Sequence, residues 1–112
     1  MQQPPLEVTP REVKRLIDAG EPLRLIDVRE PAEHVIARIE GAELIPMGYV
    51  PARLQYLEGL SDDGMLVVFC HAGLRSLNVV AWLRDQGVEN CQSMAGGIER
   101  WSEEIDASVP RY

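Results

Sequence analysis

Cysteine is scarce in this chain: Cys70 and Cys91 are the only two among 112 residues. Two thiols cannot build the disulfide framework of a small secreted scaffold, and they are too few for a cysteine-based zinc site. A reducing compartment, the cytoplasm, is the expectation. Histidine is equally sparse, and His34 and His71 stand too far apart in sequence to suggest a metal site. No motif asks for a cofactor. Positive charge is outnumbered: 11 Lys and Arg against 18 Asp and Glu leave a net charge of −7. A surface of that sign neither collects phosphate backbones nor holds to anionic bilayers, so nucleic acid and membrane drop out as partners. Long apolar runs are missing too; nothing approaches the ~18 to 20 residues that span a bilayer. The opening Met1-Gln2-Gln3-Pro4-Pro5 is neither basic nor apolar, as a leader would be.

What is present is enough apolar material for one core. With 46% hydrophobic residues, a chain of this size buries roughly two-thirds of its unfolded surface without staples. One domain over residues 1–112 is expected, with residues 1–5 frayed. Thr9-Pro10-Arg11-Glu12 has the spacing of a capping box, and Val13, Leu16 and Ile17 give the stripe of a helix that Gly20 ends. Leu23 to Val28 reads as a strand, Pro31 to about Ala37 as a short helix, and Ala42 to Ile45 as a strand stopped by Pro46. A helix from Pro51 to about Leu57 precedes a turn at Ser61-Asp62-Asp63-Gly64. Met65 to Phe69 is continuously apolar, which suits a central parallel strand covered on both faces. A helix from about Ser76 to Gln86, a strand from Cys91 to Met94 and a last helix opening at Gly96-Gly97 complete the alternation. The expected class is α/β, with a central parallel sheet of four or five strands and helices on both faces.

In such sheets ligands gather beyond the carboxyl ends of the strands, where loops lead into helix amino termini. Cys70-His71-Ala72-Gly73-Leu74-Arg75-Ser76 lies there, after the central strand. A thiol at that place faces unpaired amide N–H groups, which favour the nucleophilic thiolate in a pocket open to solvent. Gly73 lets the loop curl into an anion nest, and the Arg75 guanidinium can brace the loop or meet an oxyanion with paired hydrogen bonds.

The loop, together with Asp27-Val28-Arg29-Glu30, Gly96-Gly97-Ile98 and Trp101, resembles the single-domain rhodanese family of sulfurtransferases from Thr9 to the closing Val109-Pro110-Arg111-Tyr112. The resemblance implies that Cys70 is the catalytic nucleophile, taking the outer sulfur of thiosulfate or a similar small anionic donor as a persulfide. Cyanide, a thiol or an acceptor protein then removes it. It further implies that the backbone of His71, Ala72, Gly73, Leu74 and Arg75 holds the transferred sulfur, with Asp27, Arg29 and Ser76 in support. The family's loop has six residues in sulfurtransferases and seven in phosphatase relatives, and Cys70 to Arg75 is six. Two alternatives remain: a cysteine-based phosphatase or arsenate-type enzyme, and a non-catalytic interaction module. Arg38 stands where many relatives have histidine, so that histidine's role does not transfer, and the single cation in the cradle weakens the case for thiosulfate.

Other residues carry plainer expectations. Cys91 begins its strand while Cys70 ends another, so it is a packing residue, too distant for a disulfide. His71 shapes the loop rather than acting as a base. His34 and Glu103-Glu104 face solvent, Trp82 and Trp101 pack, and Asp27 with Arg29 is either a surface pair or an anchor for the loop.

Overall fold

The computed structural model describes residues 3–112. Five strands form one parallel sheet: β1 (Glu7–Val8), β2 (Leu23–Asp27), β3 (Glu43–Leu44), β4 (Met65–Phe69) and β5 (Cys91–Met94), in the order β1-β5-β4-β2-β3. The helices are α1 (Pro10–Asp18), α2 (Pro31–Ile36), α3 (Leu54–Asp63), α4 (Leu74–Asp85) and α5 (Gly97–Glu104). The expected architecture is the one observed, with β4 in the middle. Alternate residues of β4 serve opposite layers. Leu66 and Val68 pack with Leu57, Val79, Val80 and Leu83 of α3 and α4. Val67 and Phe69 pack with Val13, Ile98 and Trp101 of α1 and α5. This is why the run is apolar without alternation.

Local chemistry sets the boundaries. Thr9 Oγ1 accepts the Glu12 amide at 3.1 Å, but the Glu12 carboxylate turns to Arg15 instead of closing the box. The reciprocal box forms at α2, between Glu30 and Glu33. Two short 3-10 turns, Met47–Tyr49 and Pro51–Arg53, precede α3, which runs on through the expected turn at 61–63 because Leu60 continues the apolar face of Leu54 and Leu57. Gly64 then ends it. A Cβ there would stand 2.7 Å from the Pro22 carbonyl oxygen, so glycine permits the crossing of two backbones.

β1 escaped the pattern reading, being two residues long. It is held by the amides of Ser93 and Ala95, which donate to the carbonyls of Leu6 and Val8 at 2.8 Å each. Of the stretch expected to fray, Met1 and Gln2 lie outside the described residues, and the Pro5 carbonyl accepts from Arg84 at 2.9 Å and Gln92 at 2.8 Å. Among the described residues no helix is long and apolar enough to cross a membrane. Because all strands run the same way, the ends of β2, β4 and β5 bring Asp27, Cys70 and Gly96 to one edge.

Candidate active site

Cys70 follows the last residue of β4, and Gly73 opens α4 with φ +110°, a conformation that other residues rarely take. That curl turns the chain back over the sulfur. The Gly73 amide donates to Cys70 Sγ at 3.1 Å and the Ser76 amide at 3.4 Å; the Ser76 hydroxyl stands 3.4 Å away. Ser76 Oγ is held in turn by Ser93 Oγ of β5 at 2.8 Å. Three polar contacts therefore converge on one sulfur, all from residues after it in the chain.

The outer side of the loop is fixed by α5. The amides of Ile98 and Glu99 donate to the carbonyls of Cys70 and His71 at 2.9 and 3.1 Å. Gly97 makes the approach possible, since a Cβ there would run into both carbonyl oxygens. A Cβ on Gly73 would likewise press on the Gly96 nitrogen at 3.1 Å.

The sulfur is not open to solvent as expected: Cys70 is 1% exposed, because its side chain hangs from the strand end into the layer beneath α4. Ala72 and Leu74 are the loop's exposed members, Leu74 at 71%. His71 turns sideways. Its Nε2 lies 3.2 Å from Glu99 Oε2 and its ring stacks on Tyr112, with centroids 4.1 Å apart.

The Arg75 guanidinium grips Glu33 of α2 with two hydrogen bonds of 2.8 and 2.9 Å. The same carboxylate accepts the Tyr112 hydroxyl at 2.7 Å and the Glu30 amide at 3.0 Å. Hydrogen bonds from Arg75 above all hold Glu33 far below the usual carboxylate range, and Glu33 in return lifts Arg75 further above its ordinary value.

Behind this pair lies a second arginine, wholly buried. Arg29 is 0% exposed and holds Asp27 at 2.9 and 2.7 Å, the Ala37 carbonyl at 2.6 Å and the Tyr112 hydroxyl at 2.8 Å. Burial opposes its charge, but these partners outweigh the cost and keep its proton more firmly than usual. The surface-pair alternative for Asp27 and Arg29 is thus wrong; both are interior. His34 does not simply face solvent either, for its Nδ1 lies 3.0 Å from Asp27 Oδ2. Glu103 and Glu104 pair with Arg111 and with Arg11 and Arg100. Cys91 packs as expected, donating to the Val88 carbonyl at 3.3 Å, and burial pushes its thiol up. Among the described residues no group of three or more His, Cys, Asp or Glu could hold a metal ion.

Sequence reasoning missed Glu33, Ser93 and Tyr112. Only Glu33 had a signal, the Glu30-to-Glu33 box spacing; nothing local marks Tyr112, whose partner Arg29 is 83 residues away.

A family model described as the rhodanese-like domain matches residues 9–104. The chain belongs to the rhodanese-like family. Curated relatives of this rhodanese-like domain include a protein of Zea mays named adenylyltransferase and sulfurtransferase MOCS3-2. It is 37% identical over 110 residues, covering 94% of this chain and 23% of that protein. A protein of Allochromatium vinosum named sulfurtransferase is 34% identical over 89 residues, 80% of this chain and 79% of its own. The chain thus spans a minor part of some curated relatives, 26% in the case of MoeZ of Mycobacterium tuberculosis. Among solved structures, human single domain sulfurtransferase TSTD1 superimposes with a TM-score of 0.78 at 28% identity, covering 90% of this chain and 98% of that one. The rhodanese-like fold and relatives named sulfurtransferases place the domain in a sulfurtransferase family.

Proposed function

We propose that the domain transfers sulfane sulfur through a persulfide on Cys70. One observation carries the reading: a strand-end sulfur that receives the amides of Gly73 and Ser76, with the Ser76 hydroxyl 3.4 Å away. Donors aimed at a sulfur stabilise negative charge on it, which is what a nucleophile needs before attack and a leaving group needs afterwards. The Cys70 thiolate attacks the outer sulfur of thiosulfate; the S–S bond of the donor breaks, its electron pair leaves with sulfite, and a Cys70 persulfide remains. A thiol-borne persulfide donor reacts in the same sense, releasing its carrier as thiolate. A cyanide ion, a thiolate or an acceptor protein's thiol then attacks the terminal sulfur and Cys70 departs as thiolate.

The backbone of His71, Ala72, Gly73, Leu74 and Arg75 cradles the second sulfur in this scheme. Ser76 steadies the first, while Asp27 and Arg29 hold the neighbouring strand end in place. No general base is called for, which accords with His71 being engaged by Glu99 and Tyr112. A reducing cytoplasm suits a mechanism that depends on a free thiol.

Intact mass measurement tests the scheme. Protein treated with thiosulfate or an alkyl persulfide gains the mass of one sulfur atom, and Cys70→Ser does not. No adduct from either donor, with Cys70-dependent hydrolysis of an aryl phosphate, would replace it by the phosphatase alternative.

A further inference from the structure

Glu33 occupies a place that the transfer chemistry does not explain. It belongs to α2, touches neither the sulfur nor the loop backbone, and yet takes both terminal nitrogens of the guanidinium that follows the nucleophile by five residues. Other cations whose contacts reach this edge are also engaged: Arg29 by Asp27, and Arg111 by Glu99 and Glu103. The His71 ring stands between Glu99 and Tyr112. Both exposed loop residues, Ala72 and Leu74, are apolar. Around the sulfur, then, positive charge is present but compensated, on a protein whose net charge is −7.

A small dianion such as thiosulfate pays its desolvation on entering and needs an uncompensated cation in return. A persulfide borne on a thiol carries at most one negative charge, and its carrier brings contact surface of its own. The geometry points to Glu33 as a specificity-determining residue that, by neutralising Arg75, biases the site against small dianionic donors and toward sulfur carried on a thiol. This rests on the proposed persulfide chemistry and adds the class of donor. Glu33 is a positioning residue here, acting through Arg75.

Steady-state kinetics with two donors test it, thiosulfate and mercaptoethanol persulfide, each with cyanide as acceptor. Glu33→Gln keeps an acceptor for the Glu30 amide, so α2 retains its cap. The variant is expected to raise kcat/KM for thiosulfate by about tenfold or more, through KM, because a freed guanidinium meets the dianion at close range. The persulfide donor should change by less than about threefold. The double variant Glu33→Gln/Arg75→Gln removes both charges and should fall back to within about threefold of wild type with thiosulfate. Glu58→Gln, which makes the same change in net charge on an exposed part of α3, should leave thiosulfate kinetics unmoved.

No gain with thiosulfate, or an equal gain with both donors, overturns the assignment while leaving sulfur transfer intact. A loss beyond about thirtyfold in the double variant would also overturn it, because Arg75 would then bind the donor despite its partner. The double variant carries this test even if the single one fails to fold. Failure of wild type and variants alike to take sulfur from either donor would instead bring down the persulfide reading itself.

Discussion

Cys70 and Cys91 sit in the same apolar layer and are equally hidden from solvent, yet their surroundings differ in kind. At the end of β4, Cys70 receives two amides and lies beside a hydroxyl. At the start of β5, Cys91 has a carbonyl to donate to, and burial raises its thiol. Burial does not separate the two sulfurs. The direction of the chain does: the carboxyl end of a parallel strand meets N–H groups, while the amino end meets carbonyls.

The largest effect that could break this contrast is chemical. Cys70→Ser should abolish sulfur uptake, whereas Cys91→Ser should leave it within about twofold. In the native protein iodoacetamide should modify Cys70 at least about a hundredfold faster than Cys91, as peptide mapping of the alkylated protein would show. Comparable rates at the two positions would end the distinction.

A stability measurement comes next. The Cys70 edge is backed by the buried Asp27–Arg29 pair. Asp27→Asn leaves an arginine inside without its counter-ion, and denaturant unfolding should reveal a loss of about 3 to 5 kcal/mol. A loss under about 1 kcal/mol would mean that the Ala37 carbonyl and Tyr112 suffice to hold Arg29.

The Glu33–Arg75 pair is partly solvated and worth less. Its pH dependence has a definite sign. Folding holds the Glu33 carboxyl far below its ordinary range, so the folded state favours the ionised form. The resulting stability is fully present above the unfolded value of ~4.3 and is lost as pH falls toward the depressed folded value. Wild type should exceed Glu33→Gln by about 1 kcal/mol at neutral pH, with the gap closing as pH is lowered through ~4 and below. A gap that widens on acidification would contradict the pairing.

The smallest effect concerns salt. With a net charge of −7 and the site's cations compensated, thiosulfate turnover should fall less than about twofold as ionic strength rises, or increase slightly. A steep fall would expose a basic patch gathering the donor.

Much of this arrangement was legible in the residues, and the boundary of legibility has physical causes. β4 and α4 announce themselves through an apolar run and a Gly73 that must curl, so the loop that carries Cys70 is legible from the residues alone. β1 could not, since two residues carry no period and its pairing is decided by β5. The turn-rich Ser61-Asp62-Asp63 misled because the apolar face of α3 outweighs local turn preference. Asp27 and Arg29, two residues apart, read the same whether on a surface or inside. Their burial is set by α2 and Tyr112, and Tyr112 reaches Glu33 across 79 residues of chain.

Both outermost strands, β1 and β3, are only two residues long. A border so brief exposes few unpaired main-chain groups, too few to template the addition of a foreign strand. The apolar strands between them, β4 above all, are thereby kept from pairing edge to edge with other copies of the protein.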